Sequence, residues 1–309
     1  MSTEGDVWAV VVVNYGSSAL LARNLVATAA EADPDLVVVV DNPTTAAERE
    51  CMRELAERER WVLVEPTANT GFGGGVNLGV AAAIERGATG FLLLNPDARM
   101  DGNAVSALRE GTVGAPMTLC APRIITPAGA VWFAGADVSL VDGRTRGHSS
   151  RAKHSGEESW EWLTGACLWL TVTLWAAAGG FDEEYFLYWE DVDFSRRVVL
   201  AGGGLRLIDD AVAVHDEGAT HRSRRQSDRS KSETYYYFNI RNRMLFATRF
   251  LDEEGVRRWR AEVTASAREV ILRGGRAQLL RSLAPWRAYV RGSRDARRIA
   301  DGTVTAKAM

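Results

Sequence analysis

Cysteine is scarce in this sequence of 309 residues, and its three copies stand far apart. Cys51, Cys120 and Cys167 form no C-x-x-C pair, which argues against a zinc site and against a disulfide framework. Cysteine usage of this kind is typical of a reducing compartment, so we expect the protein to work in the cytoplasm.

Long apolar runs and a charge excess are also missing. The longest apolar run, "ACLWLTVTLWAAAGGF", contains two threonines and is shorter than the roughly 18 apolar residues that a membrane-spanning helix needs. The first residues include Glu4 and Asp6 rather than the basic residues of a signal peptide. The net charge of −3 gives no indication of a nucleic-acid partner. We therefore expect a soluble globular protein, with 46% hydrophobic residues available for its core.

The first hundred residues alternate short β-branched runs with helix-like stretches. Strands are predicted over 7–15, 35–42, 61–66 and 90–98, and helices over 18–32, 44–59 and 76–87. Nearly continuous valine and leucine strands separated by helices are typical of a parallel sheet covered on both faces. Ligands bind such sheets beyond the carboxyl ends of the strands. The polar residues at those ends, which give a first map of a site, are Asn14, Asp41, Asn69, Asn95 and Asp97.

The remainder of the chain changes pattern twice. Shorter mixed pieces from about residue 112 predict an α+β extension of the same sheet, so we assign residues 1–220 to one domain with halves at about 1–110 and 111–220. The basic, serine-rich segment 221–232 predicts a mobile loop. Residues 233–309 are predicted to be helical and begin with an aromatic face in "ETYYYFNIRNRMLFATRFL".

The glycine-rich stretch "NTGFGGGVNLG" (69–79) does not match a dinucleotide-binding motif, because the sixth position counted from Gly71 is Val76. No Gly-Lys-Ser/Thr follows the glycines, which excludes a Walker A loop. Two interpretations stay open. The stretch is either a tight strand-to-helix turn or a place where glycines let the backbone approach a nucleotide closely.

Candidate metal ligands follow two of the strands. In "FLLLNPDARM", Asn95 and Asp97 leave the end of a buried strand two positions apart, and their oxygens suit Mg²⁺ or Mn²⁺ bridging a diphosphate. A simple Asn-Pro-Asp turn is an equal alternative. His215 ends an alternating strand in "AVAVHDEGATHRS". A lone histidine is usually structural, and the sequence alone does not reveal whether His215 meets Asp97.

An acidic cluster begins the helix predicted over 190–201. Acids in a first turn are favourable to the helix dipole, and Asp193 can pair with Arg197 four residues later. Helix stability does not account for the aromatic rings of "YFLYW" directly before Glu190 and Asp191. Apolar rings around a carboxylate remove water from it and raise its pKa, which suits a general base working near neutral pH.

Seven motifs in fixed order resemble those of the inverting glycosyltransferases of family 2, which have the GT-A fold, and look most like the branch of rhamnosyl- and galactofuranosyltransferases. The motifs are "VVVNY", "VVVVDN", "NTGFGGGVNLG", "LLLNPDA", "TGACLWL", "GGFDEEYFLYWEDVDFSRR" and "VHDEGAT". The resemblance runs from about Val7 to Thr220, with a weaker echo in "YYYFNIRNR" (235–243). It implies an α/β fold: a Rossmann-like, mostly parallel central sheet flanked by helices, an α+β extension on the acceptor side and a helical C-terminal region.

The resemblance also implies roles for matching residues. Asp191 matches the general base, and Glu190 would help to hold the acceptor or the base. Asp97 matches the last acid of the metal-binding D-x-D motif, Asn95 replaces its first acid, and His215 completes the metal site. The residues implied in nucleotide-sugar binding are Asn14, Tyr15, Asp41, Asn69, Gly71, Phe72, Asn77, Asn95 and Asp97.

The implied reaction moves a sugar from a nucleoside diphosphate to an acceptor hydroxyl by a single inverting displacement, with Mg²⁺ or Mn²⁺ as cofactor. The first expected donor is dTDP-L-rhamnose, ahead of UDP-galactofuranose, UDP-hexoses and GDP-mannose. The acceptor would be a glycan, a lipid-linked glycan or a small natural product. The alternatives are a nucleotidyltransferase, which would need a basic glycine-rich loop where this chain has "NYGSSALL", and a non-catalytic nucleotide-sugar-binding assembly partner. A homodimer also stays open.

Arginine dominates the last part of the chain. Residues 256–298 hold many arginines and few acids, with Trp259 and Trp286 among them. Two interpretations stay open. Either these helices pack on the catalytic domain with a solvated basic face, or that face makes peripheral contact with anionic lipid at the inner side of the membrane.

Overall fold

The computed structural model describes residues 7–216 and 231–307, which form two compact units. The described residues of the first unit are 7–136, 161–186 and 190–216, and those of the second are 137–160, 187–189 and 231–307. Most of the basic segment 221–232, predicted above to be a loop, lies outside the described residues.

Strands and helices alternate along the described part of the chain. The strands are β1 (Trp8–Asn14), β2 (Leu36–Asp41), β3 (Val62–Val64), β4 (Gly90–Leu94), β5 (Ala98–Met100), β6 (Thr118–Ile125), β7 (Val131–Phe133), β8 (Ala136–Ser139), β9 (Thr145–Gly147), β10 (Ser159–Trp162), β11 (Cys167–Thr171) and β12 (Gly204–His215). The α-helices are α1 (Ser18–Ala32), α2 (Ala46–Glu59), α3 (Gly71–Ile84), α4 (Gly102–Glu110), α5 (Val172–Ala178), α6 (Glu190–Leu200), α7 (Glu233–Phe250), α8 (Glu253–Ala261), α9 (Val263–Leu272), α10 (Gln278–Arg281) and α11 (Ala284–Lys307). Short 3₁₀ helices span His148–His154 and Glu183–Tyr185.

The first unit contains a mixed nine-stranded sheet in the order β3–β2–β1–β4–β11–β6–β12–β5, with β7 paired to β6. Strands β3, β2, β1 and β4 run parallel, as the sequence predicts. Strand β11 then runs antiparallel to both β4 and β6. The parallel register pairs Asn14 with Asp41 at the ends of β1 and β2, so the polar residues that end these strands lie at one edge of the sheet.

The core of this unit lies between the sheet and its helices, and every residue of β1 and β4 is buried. Helix α3 packs closely on the sheet because Gly75 and Gly79 face valines of β1. A Cβ at these positions would lie 2.7 Å from a methyl of Val13 and 2.5 Å from a methyl of Val11. The prediction that this helix begins at residue 76 is wrong. It begins at Gly71, because the glycines form its first turns rather than a separate loop.

The second unit is built around the C-terminal helices, which confirms the predicted helical region. Its apolar cluster is formed by Tyr236, Ile240, Ala267, Val270, Ile271 and Ala288. Trp259 is fully buried beside the rings of Phe246 and Trp189. Strands β10, β8 and β9 form a separate three-stranded sheet, so this part of the predicted extension does not join the central sheet. Within 7–216 and 231–307, none of the helices combines the length and the apolar character needed to cross a membrane.

Candidate active site

A buried amide–carboxylate pair lies at the ends of the first two strands. Asn14 donates from Nδ2 to Asp41 Oδ1 at 2.7 Å, and both side chains are buried. Burial raises the pKa of Asp41, while the hydrogen bond from Asn14 and the charge of Arg49 oppose that rise. Tyr15 follows directly and is 58% exposed. The pair therefore presents an oriented carboxylate beside an open aromatic ring.

The turn into α3 is held by two asparagines. The side-chain oxygen of Asn42 accepts from the backbone N–H of Thr70 at 2.9 Å, and its Nδ2 donates to the carbonyl of Gly71 at 3.2 Å. Asn69 accepts from the N–H of Gly71 at 2.9 Å. Sequence analysis assigned Asn69 to the pocket and gave Asn42 no role, although "VVVVDN" contains it. The structure shows that both side chains fix the glycine turn.

Gly71 has no room for a side chain. Its φ is +74°, and a Cβ would lie 2.1 Å from the carbonyl oxygen of Phe186. The same oxygen accepts from the N–H of Phe72 at 2.8 Å. Asn77 forms reciprocal hydrogen bonds of 2.9 Å with the backbone of Phe181. The glycine-rich stretch is therefore joined to the segment that precedes α6, and close packing within the protein accounts for Gly71, Gly75 and Gly79.

Asp97 and His215 meet, although 118 positions separate them in the chain. Antiparallel pairing of β12 with β5 sets His215 opposite Ala98, and His215 Nε2 lies 3.0 Å from Asp97 Oδ1. Both residues are buried. The ring of Trp132, which sequence analysis did not single out, lies 4.6 Å from the imidazole between centroids.

This pair fits a divalent metal. Within the described residues neither ring nitrogen of His215 makes a well-oriented hydrogen bond, although Nε2 lies close to the Asp97 carboxylate. A ring nitrogen of this buried imidazole is therefore available to bind a metal ion. Carboxylate oxygen suits Mn²⁺ or Mg²⁺, and imidazole nitrogen is a ligand for transition-metal ions, so the pair favours Mn²⁺ of the two. The part of the chain that the structure describes contains no cluster of three His, Cys, Asp or Glu side chains for a metal. A metal here would take its remaining ligands from amide, donor or solvent oxygens.

The acid pair predicted to contain a base begins α6. Asp191 is half-buried, and its carboxylate accepts from the backbone N–H groups of Gly165 and Val192, each at 2.9 Å. Burial raises the pKa of Asp191 to about 6, against the opposing effect of those N–H groups. Glu190 is 5% exposed, and its Oε2 has no hydrogen-bond partner among the described residues. Burial, followed by the charge of Asp191, raises the pKa of Glu190 well above its usual value.

The "TGA" segment connects the acid pair to the end of β4. Gly165 donates its N–H to Asp191, and the next carbonyl, that of Ala166, accepts from the N–H of Asn95 at 2.9 Å. A Cβ on Gly165 would lie 3.1 Å from the ring of Phe72. Asp191, Phe72 and Asn95 are therefore all tied to one short segment. Sequence analysis quoted this motif for the resemblance but gave its residues no role.

Asp193 has a structural contact, as predicted. It is fully buried and pairs with Arg197 at 2.6 Å, four positions along α6. This ion pair stabilises the helix and sets Asp193 apart from the two acids before it.

Solved structures with a similar fold include glycosyltransferases of the GT-A fold. A mannosyltransferase from Pyrobaculum calidifontis, solved with GDP-Man and Mn²⁺, aligns with a TM-score of 0.53 and 14% identity over 100% of this chain and 92% of that one. GalNAc-T7, solved with UDP, GalNAc and Mn²⁺, aligns with a TM-score of 0.55 and 12% identity. That alignment covers 70% of this chain and 45% of the other, so this chain spans less than half of GalNAc-T7.

Curated relatives agree with the fold. An N-acetylglucosaminyl-diphospho-decaprenol L-rhamnosyltransferase of Mycobacterium tuberculosis is 28% identical over 68% of this chain and 76% of its own length. The low-salt glycan biosynthesis hexosyltransferase Agl10 of Haloferax volcanii is 22% identical over 78% of this chain and 75% of its own length. No family model matches the chain. The protein is a glycosyltransferase, and its resemblance to family 2 and to rhamnosyltransferases is confirmed.

Proposed function

We propose that this protein transfers a sugar from a nucleoside-diphosphate donor to an acceptor hydroxyl in a single, inverting displacement. One observation carries the proposal. Asp191, a half-buried carboxylate with a pKa raised to about 6, is held by Gly165. The neighbouring residue, Ala166, accepts a hydrogen bond from Asn95 at the end of β4, two positions before Asp97. A base for the acceptor and ligands for the donor diphosphate are thus connected through two adjacent residues.

The nucleotide would bind at the carboxyl ends of β1 and β2. Asn14 occupies Oδ1 of Asp41. Oδ2, which lies 3.8 Å from Nε of Arg49, would accept from a ribose hydroxyl or a base N–H. The exposed ring of Tyr15 offers a surface on which the base can stack. Asn69, Gly71, Phe72 and Asn77 would shape the pocket through the fixed turn rather than through freely rotating side chains, because Asn69 and Asn77 are already hydrogen-bonded.

Asp97 and His215 would hold a divalent metal, with Asn95 contributing an amide oxygen. When bound, Mg²⁺ or Mn²⁺ stabilises the negative charge of the departing diphosphate. The buried carboxylate and imidazole, 3.0 Å apart, keep the site small, and the Trp132 ring against His215 restricts rotation of the imidazole. Asn95 carries no charge, so the protein supplies one carboxylate here where a D-x-D motif supplies two.

Asp191 would act as the general base. It accepts the proton of the acceptor hydroxyl as that oxygen forms a bond to the anomeric carbon, while the bond from that carbon to the diphosphate oxygen breaks and the configuration inverts. Burial and the charge of Asp191 raise the pKa of the neighbouring Glu190 well above its usual value, which favours the protonated form of Glu190. A protonated Glu190 can donate a hydrogen bond and hold the acceptor or the base.

L-Rhamnose from dTDP-L-rhamnose is the proposed sugar, because the Mycobacterium tuberculosis relative is named an L-rhamnosyltransferase. The same name contains a diphospho-decaprenol, which favours a lipid-linked glycan as the acceptor. The hexosyltransferase relative and the mannosyltransferase structure keep UDP-hexoses and GDP-mannose in the donor panel. A cytoplasmic location, an arrangement of residues 1–220 as one catalytic domain, and a homodimer remain proposals.

The test is release of nucleoside diphosphate from a panel of nucleotide sugars in the presence of Mn²⁺ or Mg²⁺. We expect slow hydrolysis, or thermal stabilisation, with one donor. Asp191→Asn should lose hydrolysis and retain donor binding, whereas Glu184→Gln, which changes an exposed carboxylate seven positions earlier, should behave as the wild type. If no donor binds with or without metal, the proposal is wrong and a non-catalytic role is favoured instead.

A further inference from the structure

Among the described residues, the last helices carry several large apolar side chains that are exposed. Leu280 is 93% exposed, Leu283 69%, Trp286 44% and Val290 62%. They lie on α10, on the link that follows it and on the first turns of α11. Isolated exposed leucines are ordinary on a protein surface, but four large apolar side chains within eleven positions form a patch that calls for a partner.

This apolar patch lies within a strongly basic stretch. Residues 273–298 contain eight arginines and a single acidic residue, Asp295. Arg276 and Arg287 are exposed and form no ion pair within the described residues. The stretch therefore offers free positive charge beside exposed apolar surface.

The helical geometry places the two kinds of side chain on one outward face. Trp286, Val290 and Arg294 follow one another at intervals of four along α11, and all three are exposed. On the opposite side Ala288 belongs to the apolar cluster of the second unit, and a Cβ at Gly292 would lie 3.0 Å from Ile240. Because Ala288 and Gly292 pack inward, the opposite face of α11, which carries Trp286 and the arginines, points to solvent.

We propose that this face, formed by Leu280, Leu283, Trp286, Val290 and the arginines beside them, docks on an anionic lipid surface. Arginine guanidinium groups bind lipid phosphates, leucine and valine enter the acyl boundary, and tryptophan is favoured at the depth of the headgroups. The inference concerns where the enzyme works and goes beyond the proposed reaction. It does not depend on which sugar is transferred.

Bulk solvent and a second copy of the chain both match this face less well than a lipid surface does. A basic face that only contacts water does not account for an apolar side chain such as Leu280, which is 93% exposed. A second copy of the chain would bring eight arginines against eight with one acid on each side, so repulsion would oppose a symmetric contact through this face. A partner with an anionic surface and an apolar interior complements these residues, and a bilayer with acidic lipids has both properties.

The experiment is flotation of the full-length protein with vesicles of phosphatidylcholine alone or mixed with phosphatidylglycerol, at low and high salt. We expect binding to the mixed vesicles at low salt and little binding to phosphatidylcholine. The variant Leu280→Ser/Leu283→Ser/Trp286→Ser and the variant Arg276→Glu/Arg287→Glu should each reduce the bound fraction about tenfold or more, since each arginine near an anionic surface contributes several-fold to affinity.

Matched controls come from exposed residues of the first unit. Val113→Ser removes an apolar side chain that is 80% exposed, and Arg58→Glu reverses an exposed charge on α2. Both should bind vesicles as the wild type does, and thermal unfolding checks that every variant is folded.

Three outcomes would overturn the inference: no vesicle binding by the wild type at low salt, equal binding to both vesicle types, or equal binding by the variants. Concentration-dependent dimers that the same variants abolish, without vesicle binding, would instead identify a contact between copies. Nucleoside diphosphate release from a soluble donor, measured on the same preparations, separates this inference from the proposed reaction. Vesicle binding without donor turnover would support docking on lipid and contradict the proposed function.

Discussion

The side-chain amide of Asn242 donates to the carbonyl oxygen of Tyr188 at 2.7 Å. Its second N–H bond goes to the carbonyl of Leu187 at 3.0 Å, and Asn242 is itself fully buried in α7. Tyr188 and Trp189 have φ values of +64° and +75°, a left-handed conformation that costs about 1 kcal/mol or more for a residue with a side chain. One buried amide thus supports a strained segment whose next residues in the chain are Glu190 and Asp191.

Replacing Asn242 with alanine should lower both stability and turnover. Two partly buried carbonyl groups, those of Leu187 and Tyr188, would lose their donor, which should reduce the free energy of unfolding by about 2 kcal/mol. Since this segment leads directly into Asp191, kcat should fall about tenfold. The donor KM should change less, because Asn242 holds the carbonyls of Leu187 and Tyr188 and not that of Phe186, which contacts the glycine turn. The checks are urea unfolding and steady-state kinetics. Asn239→Ala is the control on the same helix, and an unchanged kcat in a destabilised Asn242→Ala would show that Asn242 is only structural.

The activity should rise with pH through about 6. Asp191 must be ionised to accept a proton, and burial raises its pKa to about 6, so the inactive protonated form prevails below that pH and the active form above it. A plot of log kcat/KM against pH should therefore have an ascending limb of unit slope centred near the pKa of Asp191. Activity that stays flat from pH 5 to pH 8, on a donor that is bound throughout, would contradict the assignment of the base.

Local patterns predicted the parallel half of the fold well, because its signals are local. Valine runs such as the one in β1 give buried strands wherever they pair, and the prediction of α1 over 18–32 is confirmed at both ends. The start of α3 was missed because glycine ordinarily marks a turn, and only the packing of Gly75 on Val13 reveals why glycines lie in this helix.

Long-range contacts were beyond sequence reasoning. Asp97 and His215 were both singled out, but their meeting depends on the pairing of β5 with β12, which no local pattern encodes. The contact of Asn242 with Tyr188 joins positions 54 apart, and the motif around Asn242 gave no indication of it. The roles of these residues in the reaction stay predictions.

Glu190→Gln should flatten the dependence of stability on pH. The pKa of Glu190 is raised in the folded protein, so between its unfolded value and its folded value the folded state holds a proton that the unfolded state releases. Stability then falls as pH rises, by up to about 1.4 kcal/mol per pH unit. Asp191, whose pKa is raised to about 6 in the folded protein, adds to this slope most strongly near and below pH 6, so the comparison is made above that pH. Urea unfolding of the variant at pH 6.5 and 7.5 should show less decline than that of the wild type, and an equal decline would refute a proton held on Glu190.

His215→Ala should weaken the metal requirement of donor binding without unfolding the protein. Its ring supplies one of the three protein ligands proposed for the metal, so the Mn²⁺ concentration that gives half-maximal thermal stabilisation by nucleoside diphosphate should rise about tenfold or more. His148→Ala, which removes an exposed histidine, is the control. If the two variants depend equally on Mn²⁺, His215 does not bind the metal, and its role is to pack against Trp132.

Gly71→Ala tests whether the glycine turn is constrained by packing. The new Cβ would lie 2.1 Å from the carbonyl oxygen of Phe186, at a φ of +74°. Gly87 provides the matched control because its φ is +87° and nothing lies within 4 Å of a Cβ there. Gly87→Ala should therefore reduce the free energy of unfolding by about 1 kcal/mol, the cost of placing a side chain at a positive φ.

Gly71→Ala has the same cost of a side chain at a positive φ. The added methyl must also displace the backbone of Phe186, whose carbonyl accepts from the N–H of Phe72. We expect it to lose about 3 kcal/mol or more in urea unfolding. Donor binding should weaken with it, since Asn69 and Asn42 both hold this turn. If the two alanine variants are equally stable, the segment before α6 yields to the added methyl, and the close contact of Gly71 with Phe186 does not determine the shape of the pocket.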